Sequence, residues 1–465
     1  MNALKLLSER DLPPDQLAFL SLGDDPVDFS GLMNRSKRAQ KALRNLGFGI
    51  GDSILLADSV SAEFYAVVMA AMGLGGSVIL VEPFLPVAEI EQVISDLKPK
   101  IFVASLLGRV WGGRVGAIRR IPHWRSSKRL CKEPGSAFDF NVLDLPPETP
   151  GIITFTTGTA TGRSKGVVRT HQGLIAQNLA IRASAPLESF RGPDLAIFAN
   201  LTLANLGMGR GTIFIPPGWK RNHLRMLQDL PQKLKPETLS CGPTFLKELI
   251  SSGFGPETLR SIHVGGALTE CDLFEEAFRS FPEARFLHVY GSSEAEPVAF
   301  VDARVSVQKS RQRGFMHALL MGRILPGLRS RLDERTLWIS GEHVCGEYLG
   351  NPEENSRSKS RDAEGRLWHA MGDRMTEDED GFWYQGRSFQ MADDFLLEQK
   401  IYRTLGHTRA FIFRDKSNLP ILSGEGVRKL SKEIQVKFPE VSRVQEKRII
   451  RDRRHRARID RGASQ

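Results

Sequence analysis

The segment FTTGTATGRSKGVVRTH (residues 155–171) concentrates groups that hold anions. Gly158, Gly162 and Gly166 let a backbone approach a ligand closely and turn its amides inward. Thr156, Thr157, Thr159 and Thr161 add hydroxyl donors, and Lys165 supplies a mobile cation. Such a loop suits a triphosphate. It is not a Walker loop, because Lys165 follows Ser164 rather than a glycine and precedes Gly166 rather than Ser or Thr. It is not a dinucleotide fingerprint either. Taken alone, a Gly/Thr-rich turn is equally a plain tight turn.

Three segments further along the chain narrow the chemistry. VGGAL (264–268) places Gly265, Gly266 and Ala267 at a strand end where a flat ring can lie against backbone. VYGSSEAEP (289–297) gives an aromatic, Tyr290, a turn at Gly291, a hydroxyl at Ser293 and a carboxylate at Glu294. GDRMTEDEDGFWYQGR (372–387) sets Asp373 fourteen residues before Arg387. A phosphate loop, an adenine shelf, an acid for magnesium and an acid for ribose can together hold MgATP.

These groups need a scaffold of strand ends. From about residue 30 the pattern alternates helix and strand: a helical period over Leu32–Leu46, the run SILLA (53–57), and a helix over Ser61–Leu74 capped by Ser59 or Ser61. SVILVEP (77–83), a helix near Val87–Leu97 and IFVAS (101–105) continue it. Repeated αβ units of this length predict a parallel, doubly wound sheet. Further strands are expected at GIITFT (151–156), LAIFANL (195–201), TIFIPP (212–217), SIHVGG (261–266) and RFLHVY (285–290). Beyond residue 330 short strands such as LWISGE and FWYQGR imply a β-rich subdomain. From about Ser388 a strand pair and a helix near Gly426–Lys437 close the chain. The fold expected is α/β: a large N-terminal domain of parallel αβ layers with a β-rich subdomain (1–387), and a small mobile α+β domain (388–465).

Composition excludes several classes. At 465 residues, with 41% hydrophobic and 25% charged residues, the chain is an ordinary globular one, too long for a single core. No apolar run reaches the ~18–20 residues of a membrane-spanning helix, and the acidic start lacks a secretory signal's features. Cys131, Cys241, Cys271 and Cys345 match no zinc or redox spacing, which implies reduced thiols in a cytoplasmic protein. The net charge of +10 gathers at Arg443–Arg461, with nine Lys/Arg against three Asp/Glu, and at Arg109–Arg129. Neither stretch fits a nucleic-acid module, so no specific nucleic-acid partner is expected. In residues 106–125, Leu107, Val110, Trp111, Val115 and Ile118 can form one apolar side among arginines, as in a helix at a membrane surface. A surface helix packed on its own domain is the simpler reading, and four glycines weaken any helix.

The motifs in series resemble those of the adenylate-forming (AMP-binding) superfamily, which includes acyl-CoA synthetases. Its phosphate loop reads roughly T-S-G-T-T-G-x-P-K-G, followed by Y-G-x-T-E, then G-D and a distant G-R. Order and spacing agree from about residue 30 to the end. LWHAMGD (367–373), YGSSEAEPVA (290–299), LANLGMG (203–209) and RDRRHRARIDR (451–461) bear a finer resemblance to the olefin-pathway β-lactone synthetases. The resemblance implies attack of a carboxylate on the α-phosphate of ATP, giving an acyl-adenylate and pyrophosphate. Lys165 and the loop would hold the β/γ phosphates. Glu294, paired with Ser293, would hold Mg²⁺. Asp373 would accept the ribose hydroxyls, with Arg387 facing ribose and phosphate. Gly265, Gly266, Ala267 and Tyr290 would form the adenine pocket. His171 matches a position near the acyl group, where ordinary packing is the even alternative. Arg458 stands where the family has its mobile catalytic lysine.

Departures accompany the match. The phosphate loop is one residue longer between Gly158 and Gly162, Ser164 replaces proline, and Ser388, Phe389 and Gln390 occupy the hinge. The C-terminal domain is short, which leaves the role of coenzyme A open. The leading expectation is ATP-dependent activation of a fatty or hydroxy-fatty acid, to a thioester or a β-lactone. The alternative is a catalytically degenerate nucleotide-binding homologue acting as a partner protein.

Overall fold

A computed structural model describes residues 1–8, 12–81, 87–133, 139–156, 165–185, 189–216, 218–219, 221–388, 390, 392–408, 410–414 and 417–447, without the side chains of 156, 184, 221 and 392. The chain forms two compact units. One gathers Met1–Leu239, Ser293–Glu296 and Ser340–His369; the other gathers Ser240–Ser292, Pro297–Ile339 and Ala370–Gln465.

The first unit is built on a seven-stranded sheet. Its order is Tyr348–Leu349, Lys165–Thr170, Pro150–Thr156, Ser77–Leu80, Ser53–Ala57, Ile101–Ala104, His123–Arg125. The last five run parallel, Lys165–Thr170 runs against them, and Tyr348–Leu349 is antiparallel to Lys165–Thr170. The short apolar runs are buried on both faces, as a parallel sheet requires. Alternation along each strand divides them. Ile54, Leu56, Val78, Ile101 and Val103 join one core, with residues of the helices Phe29–Asn45 and Ala62–Gly73. Leu55, Ile79, Phe102 and Ala104 join another, with Ile90 and Ile94 of Val87–Leu97 and Ile118 of Gly116–Arg119. This is the doubly wound arrangement the αβ alternation predicts. Ser61, one of the two expected caps, accepts a hydrogen bond from the Phe64 N–H at 3.2 Å. A second strand group, Asp194–Ala196, Thr212–Phe214 and Leu17–Ser21, is parallel, with Val27–Asp28 antiparallel at its edge.

In the second unit Ser261–Val264 pairs parallel with Arg285–Ser292. The antiparallel strands Ala295–Asp302, Leu320–Ile324, Gly381–Arg387 and Leu367–Asp378 form the β-rich part. The helix Ala392–Leu405 and a three-stranded sheet, Ala410–Arg414, Pro420–Gly424 and Arg443–Glu446, come next with a core of their own around Ile401, Ile412, Leu422 and Ile434.

Three expectations differ from what forms. The C-terminal segment holds three strands rather than a pair, and the helix Ala392–Leu405 besides the shorter Ser431–Lys437. LAIFANL is a strand only over Asp194–Ala196, and Ala199–Gly207 is helical. Residues 106–125 do not present one apolar side. They split into the helices Leu106–Gly112 and Gly116–Arg119 and the strand His123–Arg125, with Val115 and Ile118 buried and Leu107 and Val110 exposed. Gly112, Gly113 and Gly116 mark this division. All four cysteines are buried free thiols. No helix among the described residues is long and apolar enough to cross a membrane.

Candidate nucleotide site

In the first unit, Pro150–Thr156 and Lys165–Thr170 make a hairpin whose last register pair is Thr156 with Lys165. The hairpin's connection is the Gly/Thr-rich loop. The positions expected for Thr157, Gly158, Thr159, Thr161 and Gly162, and the Thr156 side chain, lie outside the described residues. Lys165 itself is fixed. Its ammonium forms an ion pair with Glu354 and lies 5.1 Å from the centre of the Tyr348 ring. Both members of the pair are nearly buried, with side chains 12% and 10% exposed. Glu354 is brought there by local chemistry: Asn351 caps the helix Pro352–Ser358, accepting from the Glu354 N–H at 3.1 Å, with Pro352 leading it.

Tyr348 is the hub. It sits on the short edge strand paired to Lys165–Thr170, in register with Val167. Its hydroxyl donates to Glu294 Oε1 at 2.8 Å. A second lysine, Lys359, lies 5.0 Å from the same ring and donates to the Cys345 carbonyl at 2.6 Å. Burial pushes Lys359 below its ordinary value, while Cys345 and Glu294 pull it back. Burial and the Glu294 carboxylate push the Tyr348 hydroxyl upward, so it donates rather than ionises. The Ser293–Glu294 turn is pinned twice. Arg169 donates to the Ser293 carbonyl at 2.8 Å, and the Cys345 N–H donates to the Glu294 carbonyl at 2.7 Å. Arg169 also holds Thr154 at 2.7 Å.

His171 begins the helix His171–Ser184 and is fully buried. Its Nδ1 accepts from the Ala3 N–H at 3.1 Å, while Nε2 has no hydrogen-bond partner. Burial, then the positive N-terminus, pushes its pKa down to about 4. The ring is neutral at pH 7.

In the second unit Tyr290, Asp373 and Arg387 converge. Asp373 and Arg387 are cross-strand partners in the hairpin Leu367–Asp378 and Gly381–Arg387. Arg387 Nη1 stands 2.9 Å from Asp373 Oδ1, and the Tyr290 hydroxyl donates to Oδ2 at 2.7 Å. The arginine approaches at salt-bridge distance without hydrogen-bond geometry, so Oδ1 is buried and accepts no hydrogen bond. Burial, then Asp373, drives the Tyr290 hydroxyl well above its usual value. Close by in sequence to Tyr290, Val289 packs on the turn after Ser261–Val264. A side chain at Gly265 would stand 2.9 Å from the Val289 carbonyl, so only glycine permits this approach. Gly266 has a φ of +81°, and Ala267 continues the turn; Gly291 lies within the strand Arg285–Ser292. Arg458 lies outside the described residues.

A buried carboxylate oxygen with an unused lone pair fits ribose hydroxyls, which bring the missing donors. Mg²⁺ is ordinarily held by one or two carboxylates plus substrate phosphates. Glu294 fits that use, and no group of three or more His, Cys, Asp or Glu that could hold a metal unaided occurs among the described residues.

Tyr348, Glu354, Lys359 and Arg169 were not anticipated. The only sequence signal was N-P-E-E at 351–354, a helix-start pattern that says nothing of chemistry.

Such a fold, with these motifs at its strand ends, is that of an adenylate-forming enzyme. The family model described as "AMP-binding enzyme" matches residues 10–349, and the chain belongs to that family. An olefin β-lactone synthetase of Stenotrophomonas maltophilia is 24% identical over 433 residues, covering 82% of this chain and 78% of its own. A 4-coumarate–CoA ligase-like protein of Arabidopsis thaliana is 24% identical over 402 residues, covering 78% and 69%. Among solved structures, ATP-bound MatB of Rhodopseudomonas palustris superposes with a TM-score of 0.80 at 18% identity, covering 100% of this chain and 98% of its own. The amide bond synthetase McbA of Marinactinospora thermotolerans gives 0.78 at 16%, covering 99% and 98%. The chain is an adenylate-forming, acid:CoA-ligase-like enzyme.

Proposed function

We propose that the enzyme uses ATP to convert a fatty or hydroxy-fatty carboxylic acid to its acyl-adenylate with release of pyrophosphate. The observation that carries this is Asp373: a buried carboxylate held by Tyr290 and Arg387, with Oδ1 accepting no hydrogen bond. A 2′,3′-diol supplies the donors that oxygen lacks. Lys165 and the Gly/Thr loop take the β/γ phosphates. Glu294 takes Mg²⁺, which would neutralise phosphate charge as the acid's carboxylate oxygen attacks the α-phosphorus and the bond to pyrophosphate breaks. The Tyr348 hydroxyl orients the Glu294 carboxylate. Gly265, Gly266, Ala267 and Gly291 form the adenine shelf beside Tyr290. His171, with Nε2 unpaired, faces the acyl carboxylate, and Arg458 supplies positive charge from the C-terminal domain.

The adenylate then reacts either with a thiol or with its own β-hydroxyl. The likeness to the olefin β-lactone synthetase favours the second, in which the hydroxyl oxygen attacks the acyl carbon and AMP leaves. The decisive experiment incubates the enzyme with ATP, Mg²⁺ and a panel of fatty and β-hydroxy acids, with and without coenzyme A, and reads pyrophosphate exchange and product mass. Exchange with a β-hydroxy acid, and a product lighter than the acid by one water without coenzyme A, is expected. No exchange with any acid would return the chain to the nucleotide-binding partner reading, which the Lys165–Glu354 pair favours by occupying the phosphate cation.

A further inference from the structure

The Leu106–Gly112 helix is turned inside out. It leaves the carboxyl end of the parallel strand Ile101–Ala104, capped by Ser105, whose hydroxyl accepts from the Gly108 N–H at 3.2 Å. The side facing the sheet is glycine. A side chain at Gly108 would lie 3.0 Å from the Ala57 carbonyl, and one at Gly112 2.7 Å from the Phe102 ring. This i, i+4 pair lets the helix lie flat on the strand ends, while Trp111 packs beside it on the core. The aliphatic side chains therefore point to water. Leu106 is 70% exposed, Leu107 82% and Val110 54%. Elsewhere among the described residues no other three large exposed aliphatics fall within a single helical turn.

The charge around this turn has one sign. Arg109–Lys132 holds eight Lys/Arg and no Asp/Glu. Arg114, Arg119, Arg120, Lys128, Arg129 and Lys132 are exposed. Acids that meet this segment from elsewhere are already engaged: Glu91 accepts from the Gly116 N–H at 2.9 Å and Asp58 from the Ser127 N–H at 3.0 Å. Exposed single leucines need no explanation, but an aliphatic ridge with the exposed Lys128 and Arg129 at the same, carboxyl end of the parallel strands has a specific complement. A nucleic acid would use the cations and leave the leucines wet. A protein groove would use the leucines and not require uniform positive charge.

We propose that this face docks the enzyme on an anionic phospholipid surface, with Leu106, Leu107 and Val110 entering the acyl boundary and the arginines and lysines at the phosphates. Amphipathic elements of this kind bind by buried apolar area added to electrostatic attraction. The inference stands on the exposed face alone and does not depend on which acid is activated.

Sedimentation of the full chain with vesicles of phosphatidylserine and phosphatidylcholine, against phosphatidylcholine alone, tests it. Binding is expected only to the anionic vesicles, weakening steeply with added salt as the Debye length shortens. Leu106→Ser/Leu107→Ser, two exposed positions that leave the fold unchanged, should weaken binding by about tenfold. Lys128→Glu/Arg129→Glu, at the carboxyl end of the neighbouring strand His123–Arg125, should weaken it by roughly twentyfold or more, at about fivefold per basic residue lost. Both variants keep the basic stretch at 443–461, so wild-type binding by both would assign the attraction to that stretch and overturn the proposal. Wild-type binding by the serine variant, together with displacement of vesicles by duplex DNA, would overturn it in favour of nucleic acid. No binding to anionic vesicles would overturn it outright.

Discussion

Asp373 and Lys165 show two ways a buried charge is kept ready. Asp373 accepts a hydrogen bond on Oδ2 and is ion-paired on Oδ1 without accepting one there, so a further donor could complete its shell. Asp373→Ala should weaken ATP binding roughly tenfold to a hundredfold, the range for hydrogen bonds to a charged group. Equilibrium binding of ATP checks this, and unchanged affinity would remove Asp373 from the site. Lys165 is paired with Glu354 in a nearly dry setting. Removing one partner of such a pair leaves the other charge uncompensated. Glu354→Gln should therefore cost roughly 3 kcal/mol in the ligand-free protein. Phosphates can replace the missing anion, so MgATP should raise the melting temperature of Glu354→Gln by more than it raises that of the wild type. An equal increment in both would mean that Lys165 does not meet the nucleotide.

At the level of elements, legibility tracked the strength of local signals. Ser53–Ala57, Val87–Leu97 and Ala62–Gly73 were readable because apolar period and Gly/Ser punctuation agreed. Ala199–Gly207 was hidden because its cap, Phe198, makes no side-chain hydrogen bond and its apolar residues continue those of the preceding strand. Short apolar runs of this kind do not separate strand from helix. The Leu106–Gly112 helix was obscured for the opposite reason: its glycines are its packing face. For the candidate site, the sequence exposed Lys165, Glu294, Asp373 and Arg387 through their spacing. It could not expose Tyr348 or Glu354, which reach Lys165 from nearly two hundred residues away by an edge strand and a capped helix. That cap is testable. Asn351→Ala should lower stability by about 1 kcal/mol through the lost N-cap. By loosening Glu354 it should also make Lys165 more reactive towards an amine-modifying reagent, read by mass spectrometry. Unchanged Lys165 labelling would separate the cap from the pair.

At the scale of the whole molecule, three of the buried histidines among the described residues shape how folding responds to acid. Burial lowers His171 and His288 to about 4 and His369 to about 3, with Lys359 adding to the last. An unfolded histidine titrates near 6.5. Between those values the unfolded chain binds protons that the folded chain refuses, so stability is full above about pH 6.5 and declines as pH falls towards 4. Each ring can contribute a slope of up to about 1.4 kcal/mol per pH unit within that window. The carboxylates whose pKa values are lowered, such as Asp362, held down first by the Trp368 indole, begin to lose their contribution only below about pH 5. Urea unfolding between about pH 7.5 and pH 5 therefore isolates the histidines. The midpoint is expected to stay level down to about pH 6.5 and then to fall. His288→Phe supplies the control. His288 already meets Phe274 edge to face at 5.4 Å, and its Nδ1 has no hydrogen-bond partner, so a phenyl ring can occupy the space without titrating. Whatever its stability at pH 7, the variant should show a shallower fall below pH 6.5. An identical slope in variant and wild type would mean that the ring is not kept neutral by burial.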